Sequence, residues 1–178
     1  MFEDNDDHRS FDDTRKMPIF KKAEQILELT RRLVEVISKE DSNASDDYER
    51  EMLDHHADYL IENASIIPAK IAGAEGADLY DIRMENAAII RKAAREILTD
   101  TTGLTISGFK ETDYLELLRN EIEEFRILFA EWVKTFDQDN YIIDRWGLFN
   151  PPGVNYDDHD PDDDIPFDPN DFFDDDFE

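Results

Sequence analysis

Apolar residues recur at helical spacing in four segments of the chain, and the first and last segments are the most regular. The first follows Pro18, a residue that the first position of a helix tolerates because its missing N–H would be unpaired there. Its stripe consists of Ile19, Phe20, Ala23, Ile26, Leu27, Thr30, Leu33, Val34 and Ile37. The last consists of Leu115, Leu118, Ile122, Phe125, Phe129, Trp132 and Phe136. Steps of three and four residues predict an amphipathic helix in each.

The second segment begins after a polar break at residues 39–45. Ser45 supplies a capping hydroxyl, and the acidic residues that follow favour a helix N-terminus. The predicted helix contains Pro68 and ends at Gly73 or Gly76. Its predicted buried face consists of Met52, His56, Tyr59, Leu60, Asn63, Ile67 and Ile71.

The third segment begins at Asp78 and Asp81, which stand three residues apart as a capping pair. Residues 100–110, DTTGLTISGFK, are rich in turn-forming residues and predict a connection to the last helix. The predicted buried face of the third helix consists of Leu79, Ile82, Asn86, Ile89 or Ile90, Ala93, Ile97 and Leu98.

Four helices, modest connections and no convincing strand alternation predict an all-α fold, an antiparallel up-and-down four-helix bundle. The bundle covers residues 17–138, with acidic flexible arms on both sides. Residues 1–16 form the N-terminal arm. Residues 139–156 form a segment that folds back by its aromatic side chains, and residues 157–178 form an acidic, aromatic tail.

Charge narrows the possible functions. The formal net charge is −27, and residues 151–178 contain twelve carboxylates without a Lys or Arg. Phosphate would be repelled by such a surface, which argues against direct nucleic-acid binding. The chain has no cysteine, which excludes disulfides and thiolate metal sites and suits a cytoplasmic protein. No run of 18 uncharged apolar residues occurs, so no membrane span is predicted.

The residues that could carry catalysis form no recognisable site. None of the four histidines, His8, His55, His56 and His159, has a Glu three residues before it, as a di-metal bundle site requires. Carboxylates near His55 make a surface metal site geometrically possible, but the favoured interpretation makes His56 an interior-edge histidine that is hydrogen-bonded within the bundle. No nucleophile triad or phosphate-binding loop appears. The sequence therefore predicts a protein without enzymatic activity, metal or cofactor.

One compact basic cluster stands out on the third helix, formed by Arg91, Lys92 and Arg95. Arg91 and Arg95 lie one turn apart, so they share a face. The cluster is a candidate anion patch. The alternative is that these residues form ion pairs with surrounding acidic side chains or with the chain's own tail.

The body of the chain also resembles a known family. Residues 62–97, ENASIIPAKIAGAEGADLYDIRMENAAIIRKAAREI, are similar to a helix end of the pattern A-x-S-I-P-x-N-I-A-E-G followed by a third helix, and residues 17–29, MPIFKKAEQILEL, are similar to a first helix of that family. It comprises the four-helix-bundle proteins of 23S ribosomal RNA intervening sequences and the accessory proteins of diversity-generating retroelements. The resemblance implies a bacterial four-helix bundle that forms homo-oligomers. Lys70 stands where the family usually has Asn, and an insertion beside Ala74 is implied. The family is commonly basic, and this chain is not.

The tail combines carboxylates with aromatic residues. Residues 162–167, DDDIPF, look like the acidic tip of bacterial single-stranded-DNA-binding proteins, although eleven residues follow Phe167 here. More broadly, an acidic segment with spaced phenylalanines can fold onto a basic protein surface, while the alternative is a plain solubilising tail. The candidate partner-binding residues are Asp162, Asp163, Asp164, Ile165, Phe167, Phe172, Phe173 and Phe177.

Two functions follow as hypotheses. The first is a non-enzymatic oligomeric adaptor whose acidic, aromatic tail binds a basic surface of a partner, with nucleic-acid-binding proteins as one candidate class of partner. The second is a nucleic-acid mimic that competes with DNA or RNA for such a protein, because dense carboxylates imitate a phosphate backbone.

Overall fold

The computed structural model describes residues 11–41 and 47–160, and every regular element in these two ranges is a helix. There are five, in the order α1 (Phe11–Thr14), α2 (Pro18–Asp41), α3 (Asp47–Glu75), α4 (Tyr80–Ile106) and α5 (Thr112–Val133). The predicted all-α class is confirmed. Most of the predicted N-terminal arm and all of the tail beyond residue 160 lie outside the described residues.

The long helices share one apolar core. α2 contacts α3 and α5, and α4 contacts the same two helices. On α2 the predicted stripe is confirmed, since Ile26, Leu33 and Ile37 are fully buried. On α5 it is confirmed as well, with Leu118 and Phe125 at the centre of the core. The regular spacing of large apolar side chains therefore located both helices correctly.

The predicted buried faces of α3 and α4 are partly wrong. Tyr59, Ile82 and Leu98 are exposed, although all three were assigned to the core. Alanines take their place: the buried residues outside the predicted faces include Ala57, Ala64, Ala87 and Ala94, while Ala93 is buried as predicted. Small side chains let helix backbones approach each other closely, and α3 and α4 make the most extensive helix contact in the described residues. Predicted faces in which Ala93 is the one alanine therefore missed part of the buried surface of both helices.

The ends of α4 also differ from the prediction. The helix continues to Ile106, through residues that predicted a connection. The Thr101 and Thr105 hydroxyls donate to carbonyls of the preceding turn, so they do not compete with the helix. At the other end the N-cap is Leu79, without a side-chain cap bond, so the predicted capping pair is wrong. Asp81 instead accepts a hydrogen bond from the Ile142 N–H, 3.0 Å away.

The segments that flank the helices contact them. Thr14 of α1 is buried and α1 contacts α3, so the residues just before α2 pack on the helices. After α5, the Tyr80 N–H donates to the Asn140 carbonyl at 2.8 Å, and Ile143 is buried. These contacts hold residues 140–143 against the N-terminal end of α4. Within the described residues, no helix is both long and apolar enough to span a membrane.

Candidate functional site

An apolar groove of about 360 Å³ lies between α4 and α5. Its floor comes from one face of each helix, because the α4 residues recur every three or four positions opposite the aromatic stripe of α5. The apolar lining consists of Ala94, Leu98, Ile122, Phe125, Phe129, Ala130 and Val133. The charged residues that line it are Arg91, Arg95, Arg126 and Glu123. We call this site the α4/α5 groove.

The arginines of the α4/α5 groove differ in their partners. Arg126 donates to Glu123 on the same helix, and this hydrogen bond lowers the pKa of the Glu123 carboxyl. Arg91 and Arg95 are exposed, and neither side chain forms an ion pair or hydrogen bond with any residue that the structure describes. The groove therefore offers cationic groups beside apolar surface.

The three residues of the predicted basic cluster lie on two different faces of α4. Lys92 Nζ lies 3.4 Å from Glu96 Oε1, with which it forms an ion pair. Lys92 lines a different cavity, together with His55 and Glu62. Of the three cluster residues, Arg91 and Arg95 line the α4/α5 groove. Successive helical residues point about 100° apart, so Lys92, which directly follows Arg91, cannot share the face of the two arginines. The sequence located the cluster but did not separate its two parts.

A second surface feature is the loop at residues 144–150, which the Asp144 carboxylate organises. It accepts hydrogen bonds from the Trp146 N–H and the Leu148 N–H, both at 2.8 Å, and from the Phe149 N–H at 2.9 Å. These backbone donors, that of Trp146 first, lower the pKa of Asp144. Gly147 adopts a φ of +73°, a conformation that side chains disfavour. We call residues 144–150 the Asp144 loop.

The Asp144 loop presents two of its apolar side chains to solvent. The Trp146 side chain is 91% exposed and Leu148 is 75% exposed. Arg145 donates from Nη1 to the carbonyls of Tyr156 and Asp158, at 3.0 and 2.8 Å, which ties the following acidic residues to the loop. In the segment at residues 139–156, which is predicted to fold back by its aromatic side chains, Tyr141 packs on the core, whereas Trp146 and Tyr156 are exposed. An Asp three residues before a Gly was the available signal for such a turn.

Two groups of polar side chains, one of two residues and one of three, form hydrogen bonds between helices. His56 Nδ1 lies 3.0 Å from Asp100 Oδ1, which confirms the prediction of an interior-edge histidine hydrogen-bonded between helices. Glu75 Oε1 accepts from Arg83 Nη2 at 2.5 Å and from Trp132 Nε1 at 2.7 Å. In the part of the chain that the structure describes, no three His, Asp or Glu side chains are grouped so that they could hold a metal ion.

The candidate partner-binding residues between Asp162 and Phe177 lie outside the described residues. The chain matches no protein-family model, no curated protein and no solved structure. The resemblance to the intervening-sequence proteins therefore stays a prediction.

Proposed function

We propose that this chain is a non-enzymatic adaptor that binds a basic surface of a partner protein through its C-terminal arm. The observation that supports the proposal best is the Asp144 loop, which holds an exposed Trp146 in a fixed turn just before the acidic tail. Tryptophan is enriched among residues that dominate binding energy at protein interfaces. A loop ordered before binding also loses less conformational entropy on association.

The charge around the loop supports a basic partner. Asp157, Asp158 and Asp160 follow it, and nine more carboxylates occur in residues 161–178. Carboxylates attract a Lys- or Arg-rich surface over about 8 Å at physiological salt, and they steer the encounter before apolar side chains dock. Trp146 and the tail phenylalanines would supply the apolar contact area.

We further propose that the helices form an antiparallel up-and-down four-helix bundle with acidic flexible arms, and that the protein is cytoplasmic. The ring of contacts, in which α2 and α4 each touch α3 and α5, supports the bundle. The short connections at residues 76–79 and 107–111 support antiparallel neighbours. The lack of cysteine suits a reducing compartment.

A homo-oligomer is part of the same proposal. Ile127 is 54% exposed on α5, and apolar side chains of this size on a helix surface can form a subunit interface. Leu29, Val36 and Leu128, which also widen the apolar faces, pack partly against the core. Light scattering at micromolar concentration should give a multiple of 20.9 kDa. A mass equal to that of one chain would contradict the oligomer.

A capture experiment with the full chain tests the adaptor proposal. The immobilised chain should retain a basic protein from a cell extract, and raising the salt concentration should release it. The variant with Phe167→Ala and Phe172→Ala keeps every carboxylate and should retain less of it. Equal capture by both chains would contradict a role for the tail aromatics.

The same capture distinguishes the adaptor from a nucleic-acid mimic. A mimic occupies the site at which its partner binds DNA or RNA, so added nucleic acid should release the partner. An adaptor that uses another surface should hold its partner when nucleic acid is added. The charge of −27 keeps the mimic as the second candidate.

A further inference from the structure

We propose that the α4/α5 groove is a binding site for the chain's own C-terminal segment, residues 161–178, which docks with phenylalanine side chains on the apolar floor and carboxylates at Arg91 and Arg95. This contact is intramolecular. It goes beyond the adaptor function and does not depend on it, because docking in the groove requires no partner protein.

Chemical complementarity is the first argument. The α4/α5 groove combines Phe125, Phe129 and other apolar side chains with two arginines that have no ion-pair partner in the described part of the chain. Residues 161–178 contain nine carboxylates, four phenylalanines and no Lys or Arg. Aromatic rings can pack against one another on such a floor, and a guanidinium can hold a carboxylate by two parallel hydrogen bonds.

The position at which the tail begins is the second argument. Asp81, in the first turn of α4, accepts from Ile142, and Arg145 holds the Asp158 carbonyl, so the chain leaves the described structure close to the N-terminal end of α4. Arg91 lies about 16 Å from Tyr80 along the helix, and Leu98 about 27 Å. Eighteen extended residues reach roughly 60 Å. The tail is therefore long enough to cover the whole groove.

Local concentration favours this occupant over others. A short flexible connection gives a tethered segment an effective concentration in the millimolar range, above that of a second copy at micromolar concentration. A partner that takes the tail must therefore displace it from the groove. Docking of the tail would also cover apolar surface that the free helices otherwise expose.

Disulfide trapping in the full chain tests the contact, and the absence of natural cysteine makes the trap specific. One variant carries Asn170→Cys in the tail and Ala130→Cys in the groove; its control carries Asn170→Cys and Gln25→Cys, an exposed α2 position outside the groove. Under mild oxidation the first should form an intramolecular disulfide at least about tenfold faster than the control, because the tether is the same in both and only docking in the groove raises the local concentration of position 170 beside position 130. Equal rates would overturn the proposal. A disulfide-linked dimer would overturn it too, because the occupant would then be the tail of a second copy.

Charge reversal tests the role of the arginines. Arg91→Glu with Arg95→Glu should slow the trapping to the rate of the control pair. Arg31→Glu with Arg32→Glu makes the same change in charge on the exposed face of α2 and should leave the rate unchanged. If both reversals slow trapping equally, the tail follows overall charge and the groove is not its site.

A second measurement places no cysteine in the groove. A spin label on Asn170→Cys alone should show restricted motion in the full chain and become mobile when Arg91 and Arg95 are reversed. A label that is equally mobile with and without the reversal would overturn the proposal.

Discussion

The imidazole ring of His56 on α3 occupies the space that a side chain at position 103 of α4 would fill. A methyl group on Gly103 would overlap the ring, so the glycine allows α3 and α4 to pack with His56 against Asp100. Glycine inside a helix costs about 0.5–1 kcal/mol relative to alanine. The contact with His56 gives a physical reason for the glycine at this position.

Gly103→Ala is expected to lower the free energy of unfolding by about 1–3 kcal/mol, the usual cost of overpacking a tight contact. The measurement is chemical denaturation followed by circular dichroism. Gly73→Ala is the matched control, because its added methyl group would meet only Asn86 Oδ1 at an ordinary 3.5 Å. That variant should be more stable than the natural chain by up to about 1 kcal/mol. A change of the same sign in both would contradict the steric explanation.

The same glycine shows where the sequence was sufficient and where it was not. On α2 and α5, residues such as Ile26, Leu118 and Phe125 are large, regularly spaced and buried, so periodicity alone located them. Gly103 and its neighbouring threonines predicted a turn because their local preferences favour one. Packing against His56 overrides that preference, and a residue 47 positions away is invisible to a local pattern.

The candidate site, like the fold, could be predicted only in part from the sequence. Arg91 and Arg95 were identified as neighbours on one face, and the structure places both at the α4/α5 groove. The groove itself depends on how α4 is rotated against α5, which a local pattern of apolar residues does not report. The Asp144 loop was missed because its order comes from hydrogen bonds to one carboxylate, not from periodicity.

Glu75→Ala is expected to lower the free energy of unfolding by about 3–5 kcal/mol, because it leaves the partly buried Arg83 without this carboxylate and the Trp132 N–H without its acceptor. Thermal and chemical denaturation measure the loss. Glu131→Ala removes a carboxylate from an exposed pair with Lys134 and should cost less than about 1 kcal/mol. Similar losses in the two variants would show that burial of Glu75 adds nothing.

The Asp144 loop should open at acid pH while the helices stay folded. Backbone donors lower the pKa of Asp144 below its ordinary value of 3.8, so its stabilisation of the loop is complete above that value. It is lost as pH falls through the lowered pKa, because a protonated carboxyl accepts these hydrogen bonds less well. Amide NMR signals of Trp146, Leu148 and Phe149 should therefore be constant near neutral pH and move toward random-coil positions in acid.

Asp144→Asn provides the neutral-pH counterpart of this titration. The amide cannot accept through both of its terminal atoms, so the three amide signals should already be displaced at pH 7. Asp157→Asn removes one charge from an exposed position seven residues after the Asp144 loop and should leave the three amide signals in place. Displacement by both variants would mean that charge, and not the hydrogen bonds of Asp144, orders the loop.

Trp146→Ala should weaken partner binding without changing the stability of the chain. The side chain is 91% exposed, so its removal costs little in the folded state. At an interface, an anchoring tryptophan contributes about 2 kcal/mol or more, which is roughly a 30-fold change in affinity. Ile106→Ala is the control, because Ile106 is also apolar and 82% exposed but lies at the end of α4, outside the Asp144 loop. Calorimetric titration against the captured basic partner should give the natural affinity for the control and a weakened affinity for Trp146→Ala. Equal affinities for the two variants would show that the loop is not part of the recognition surface. The tail would then be the remaining candidate for that surface.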